Sequence, residues 1–164
     1  RTKTFTLIAS TASTPSPFNG PTRKVRKLLM ERTNNPNSSV DERVNRTRRI
    51  FSEIGYQGID LNTDEFYNDI SSSIERGGKD DTGFGRQLTA ILGSENRLDK
   101  VKAIKAQTLI IHGKEDPLIR VKNAYKTKKL IDNSKLIIIS DMRHLIEIPV
   151  FDQFKNELLK HLNS

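Results

Sequence analysis

The segment from Ala106 to Leu118, AQTLIIHGKEDPL, constrains this chain more than any other. Gln107 to His112 is a short apolar run stopped by Gly113, and Asp116-Pro117 follows as a turn, which predicts a strand that delivers an aspartate just beyond its carboxyl end. A second apolar run, Lys135 to Ile139, is followed by Ser140-Asp141-Met142-Arg143-His144. Between the two runs, Val121, Ala124, Tyr125, Lys128 and Ile131 recur at helical spacing and predict a helix with one apolar face. Strand, helix, strand predicts a parallel crossover, so Asp116 and His144 leave neighbouring strands at the same rim. That rim is where open α/β sheets carry their chemistry.

Upstream, Lys3 to Ala9 reads as a buried parallel strand ended by Ser10-Thr11-Ala12-Ser13-Thr14-Pro15. Helical patterns then follow one another. Thr22 to Arg32 carries Val25, Leu28 and Leu29, and Asn34-Asn35-Pro36-Asn37 ends it. Ser39-Val40-Asp41-Glu42 is a capping box for a helix with Val40, Val44, Phe51 and Ile54 on one face and Gly55 as its stop. Thr63 caps a third, with Phe66, Ile70 and Ile74 inward and Gly77-Gly78 closing it, and a fourth runs from about Phe84 to Leu92. The last helix starts near Pro149 and carries Phe151, Phe154, Leu158 and Leu162 at spacings of three and four.

The 164 residues suffice for one domain, with a lean core at 34% hydrophobic residues. No stretch approaches the roughly 18 apolar residues of a membrane span, and no apolar signal region opens the chain. The absence of cysteine excludes disulfides and thiolate chemistry and leaves the cytoplasm as the default compartment. The net charge of +8 is local: the first 50 residues hold 11 Lys and Arg against 3 Asp and Glu, and the remainder hold 17 of each. Arg43, Arg46, Arg48 and Arg49 lie on a helix whose other face is apolar, which assigns them to a solvated face in preference to nucleic acid.

Strand, Gly-x-x-Asp-Pro, helix, strand and then His before a last helix resembles the end of an α/β-hydrolase, on the esterase and methylesterase side of that superfamily. The resemblance implies a partial α/β-hydrolase fold of about three parallel strands, the sixth to eighth of the family, with a four-helix cap inserted between the first and second. Residues 1–16 and 97–164 would form the C-terminal part of the core and residues 17–96 the helical cap. It further implies Asp116 as the triad acid and His144 as the triad base. The family usually has Gly directly before that histidine, where this chain has Arg143, a departure that bears on the geometry of His144.

Serine hydrolysis also needs a nucleophile and two backbone N–H groups aimed at the oxyanion. No Gly-x-Ser-x-Gly occurs here; Ser10 and Ser13 follow a strand without an elbow, and Gly93-Ser94 has the wrong partners. The chain is therefore expected to be a piece of a longer ester hydrolase of the serine type, inactive by itself. The other reading is a non-catalytic remnant or an oligomerising module with a basic surface in residues 1–50. Without a preceding strand, the edge of Lys3 to Ala9 is uncovered, which predicts a homo-oligomer. His112 reads as structural, and His161 as a cation suited to a helix end. Phe18, Phe51, Phe66, Tyr67 and Phe84 are candidates to line a pocket under the cap, although helical spacing assigns most of them to packing. No metal or other cofactor is expected, since no His, Asp and Glu cluster has ligand spacing. The implied partner of the intact protein is a small-molecule ester.

Overall fold

Three parallel strands, β1 (Thr4–Ile8), β2 (Gln107–Gly113) and β3 (Ser134–Ile139), form one sheet in the order β1-β2-β3. The computed structural model describes residues 2–12, 19–31, 38–77 and 83–164. Ser13, Phe18, the Asn34-Asn35-Pro36-Asn37 break and Gly78 lie outside the described residues, as does the side chain of Phe84. The register sets Ile8 beside Ile111, and Ile111 beside Ile137. β2 is the middle strand, buried from Thr108 to Gly113, as its central Leu109-Ile110-Ile111 run requires of a strand covered on both faces. β1 is half-buried along its length and is paired on one side only among the described residues.

Between β1 and β2 come α1 (Arg23–Met30), α2 (Val40–Ile54), α3 (Asp64–Gly77), α4 (Gly83–Leu92) and a short α5 (Leu98–Lys102) that the sequence pattern does not predict. α6 (Lys122–Leu130) joins β2 to β3, and α7 (Ile148–Leu162) ends the chain. The predicted capping box at α2 forms: Glu42 N–H donates to the Ser39 hydroxyl oxygen at 3.2 Å, and Ser39 N–H to the Glu42 carboxylate at 2.9 Å. α2 buries Val44 and Ile54, whereas α3 buries no residue completely, so its predicted inward face is only half-covered. The two helices meet through Phe51 and Phe66, packed edge to face with ring centroids 5.8 Å apart, and the Arg48 guanidinium lies 5.5 Å from the Phe66 ring.

Leu109 and Ile111 of β2, Ile139 of β3, Met142, and Val150 and Phe154 of α7 form the principal buried cluster. Each such side chain contributes about 1.5–3 kcal/mol on burial. The faces of two helices differ from expectation. On α6 the buried residues are Asn123, Ala124 and Thr127, while Tyr125 is half-exposed. Asn123 can turn inward because its amide donates to the carbonyls of Asn19 and Arg120 at 3.1 and 2.9 Å, and the Thr127 hydroxyl donates to the Asn123 carbonyl at 2.9 Å. On α7 the inner line is Val150, Phe154, Leu158 and His161, leaving Phe151 and Leu162 exposed. His161 is buried and its Nε2 lies 3.1 Å from the Phe5 carbonyl oxygen, so it ties α7 to β1.

Candidate active site

The carboxyl ends of β2 and β3 carry Asp116 and His144 to one place, and His144 Nδ1 lies 2.9 Å from Asp116 Oδ2. The Asp116 side chain is fully buried, and its other oxygen, Oδ1, accepts the backbone N–H groups of Leu118 and Ile119 at 2.8 and 2.9 Å. That Asx-type turn follows from an aspartate placed directly before Pro117, and it fixes the carboxylate so that Oδ2 alone is left for the imidazole. A carboxylate accepting at His144 Nδ1 places the ring proton there and leaves Nε2 as the basic nitrogen. The His144 side chain is 21% exposed, so Nε2 chemistry is open to a reactant while the acid is shielded.

The departure at Arg143 is accommodated by a division of labour. Close backbone approach falls on Gly113, where a Cβ would sit 2.2 Å from the Arg143 carbonyl oxygen and 2.3 Å from that of Met142. Arg143 itself adopts no left-handed φ; Ala9, at 45°, is the single non-glycine residue with positive φ among those described. The Arg143 guanidinium donates to the Glu53 carbonyl at 2.6 Å, at the negative end of α2. His144 N–H and Leu145 N–H both donate to the Ile54 carbonyl, at 2.8 and 3.3 Å, and Tyr56 N–H returns a bond to Glu147 Oε1 at 2.8 Å. The histidine loop is thus bolted to the end of α2. Arg143→Gly is expected to lower stability by about 1–3 kcal/mol in a urea titration, the worth of a charged hydrogen bond plus added chain freedom. Arg143→Lys should recover part of it; equal stability of Arg143→Gly and the parent would refute the clamp.

These contacts span some 90 positions and had no local signal in the sequence. His112, read as structural, is also drawn into the site: it is fully buried with Nε2 3.9 Å from Asp116 Oδ2. Tyr67, a candidate pocket residue, donates its hydroxyl to Asp41 Oδ1 at 2.5 Å, and that bond raises its pKa; with Phe51 and Phe66 it packs the helices. A cavity of about 270 Å³ lies at the opposite rim, beside Thr108, Ser134, Lys135, Glu157, Lys160 and His161. There Glu157 is hydrogen-bonded to Lys135 and then to Lys160, which together push its carboxyl down to about 2. Both ammonium groups are engaged by that carboxylate, and the amino ends of parallel strands are not where this architecture places its chemistry. Among the described residues no group of three or more His, Asp or Glu side chains is placed to hold a metal ion, and no helix is long and apolar enough to cross a membrane.

The fold is found in known hydrolases. An esterase from Exiguobacterium antarcticum superimposes with a TM-score of 0.70 at 16% identity over 99% of this chain and 57% of its own. An enol-lactonase from Burkholderia xenovorans gives 0.70 at 16% identity over 100% and 57%. A meta-cleavage product hydrolase from Pseudomonas fluorescens gives 0.64 at 17% identity over 96% and 54%. No family model and no curated protein sequence matches the chain. The architecture is a partial α/β-hydrolase fold, and the chain spans little more than half the length of the solved structures it matches.

Proposed function

We propose that these residues form the acid- and base-bearing part of a serine ester hydrolase of the α/β-hydrolase type. Asp116 is the triad acid, His144 the base, residues 17–96 a lid, and residues 1–16 and 97–164 the C-terminal part of the core. The observation that carries the reading is the buried Asp116 carboxylate, saturated at Oδ1 by two backbone N–H groups and directed through Oδ2 to His144 Nδ1. In that role His144 Nε2 takes the proton of a serine supplied from outside these residues and returns it to the leaving alcohol, while Asp116 stabilises the imidazolium. The substrate class is a small carboxylic ester, the chemistry common to the esterase and lactonase with the same fold.

A p-nitrophenyl ester assay on the 164-residue chain, with mass spectrometry after treatment with a fluorophosphonate, tests the division of parts. The expected result is turnover at the buffer rate and no adduct on any serine. Turnover abolished by Asp116→Asn and His144→Ala, with an adduct on Ser10 or another serine, would mean that a nucleophile lies within the chain.

A second reading, an oligomerising module, is favoured by the side of β1 that has no partner strand among the described residues and by Ile148, Phe151, Leu159 and Leu162, exposed along one side of α7. The Ala9 amide bonds the Ile111 carbonyl, and alternation along the strand then turns the backbone groups of Thr4, Thr6 and Ile8 away from β2. Such an edge pairs with another chain. A homodimer or larger homo-oligomer is expected in sedimentation at tens of micromolar, and a folded monomer there would refute it.

A further inference from the structure

We infer that His112 is a positioning residue of the acid–base pair, a second imidazole that shares Asp116 Oδ2 with His144. The inference rests on the proposed roles of Asp116 and His144. His112 Nδ1 lies 3.1 Å from the Gly113 carbonyl oxygen, which can only accept, so Nδ1 carries a proton. Nε2 is buried, has no hydrogen-bond partner among the described residues, and lies 3.9 Å from Asp116 Oδ2. In the neutral ring an Nε2 lone pair then faces a carboxylate oxygen 3.9 Å away, a repulsive arrangement. Protonation at Nε2 reverses it into an attraction between an imidazolium and the carboxylate. The same oxygen is hydrogen-bonded to His144, so a proton on His112 weakens what Asp116 offers to a proton on His144.

β3 sets Ile138 beside His112, and Lys122, Lys126 and Lys129 of α6 are exposed. Arg143, in the loop after β3, sends its guanidinium away to Glu53. The orientation of the His144 base then depends on the state of His112, because both imidazoles face the same carboxylate oxygen.

The test is ¹⁵N and ¹³C NMR of the imidazole signals across pH on the whole 164-residue chain, with His161, at the far end of the sheet, as the reference. In the parent, the His112 and His144 curves should each show two steps. His112→Asn, which retains a donor for the Gly113 carbonyl, and His112→Gln, which retains a polar group near Nε2, should each leave His144 with a single step. Single-step curves in the parent overturn the inference even where neither variant folds, and so does a His144 curve that both folded variants leave unchanged. Asp116→Asn separates the two readings. A His144 signal that responds to Asp116→Asn but ignores both His112 variants removes the inference alone; a His144 signal indifferent to Asp116→Asn removes the acid–base pair beneath it.

Discussion

In a polypeptide that joins this chain to a nucleophile elbow, Asp116→Asn is expected to lower kcat by roughly 10⁴ with little change in KM. The substitution is nearly isosteric, and the carbonyl oxygen of the new amide can still accept from Leu118 and Ile119 N–H, so the loop is retained. The amide nitrogen then occupies the place of Oδ2, 2.9 Å from His144 Nδ1, and donates where the carboxylate accepted. His144 is pushed into the tautomer with its proton on Nε2, which cannot take a proton from serine. His144→Ala should cost at least as much, and the double variant little more than either alone, because members of one relay do not add. Stopped-flow measurement of acylation checks this; a loss below about tenfold for Asp116→Asn would remove Asp116 from the triad.

The part of this architecture that could be read in advance is the part encoded locally. Gln107 to Gly113 carries the buried apolar run Leu109-Ile110-Ile111 and is bounded by turn residues, so strand, direction and the delivery of Asp116 follow from a dozen residues. Ser39 and Glu42 cap α2 by contacts three positions apart. The side chains of α6 and α7 were less legible, because hydrophobicity alone misassigns a helix face on which polar residues are satisfied internally. Asn123 and Thr127 are buried at 2% and 3% exposure through bonds to backbone carbonyls, one of them 104 positions away, while apolar Tyr125 stays in solvent. Phe151 likewise lies outside the buried line of α7, though it packs edge to face on Phe154 at 5.5 Å.

The site divides in the same way. Asp116 and His144 stand at strand ends and announce themselves through order and spacing. The group that anchors the histidine loop does not: Arg143 finds the end of α2 by tertiary contact. Arg143 gave no hint of where the loop backbone meets the sheet, since the residue it approaches, Gly113, lies 30 positions earlier.

Gly113→Ala is accordingly expected to be among the most damaging single-methyl changes in the chain. The added Cβ would meet the carbonyl oxygens of Arg143 and Met142 at 2.2 and 2.3 Å and the Met142 carbonyl carbon at 2.7 Å, and all three are backbone atoms that no side-chain rotation can move. Relief requires the 142–144 loop to withdraw from β2. That motion pulls on the bonds joining His144, Leu145 and Arg143 to the end of α2, and on the contact with Asp116. A loss of about 3–5 kcal/mol is the range for overpacking combined with a broken buried network. Gly77→Ala is the matched control: among the described residues nothing lies within 4 Å of its Cβ, at the last position of α3, and reduced freedom of the unfolded chain should make it neutral or stabilising by up to ~1 kcal/mol. Urea titrations of the two variants, read beside the His144 imidazole signals, should therefore move in opposite directions, with the histidine signals displaced in Gly113→Ala alone. Equal midpoints for the two would mean that the loop before His144 does not depend on the missing side chain at Gly113, and the account of how Arg143 is tolerated would fall with it.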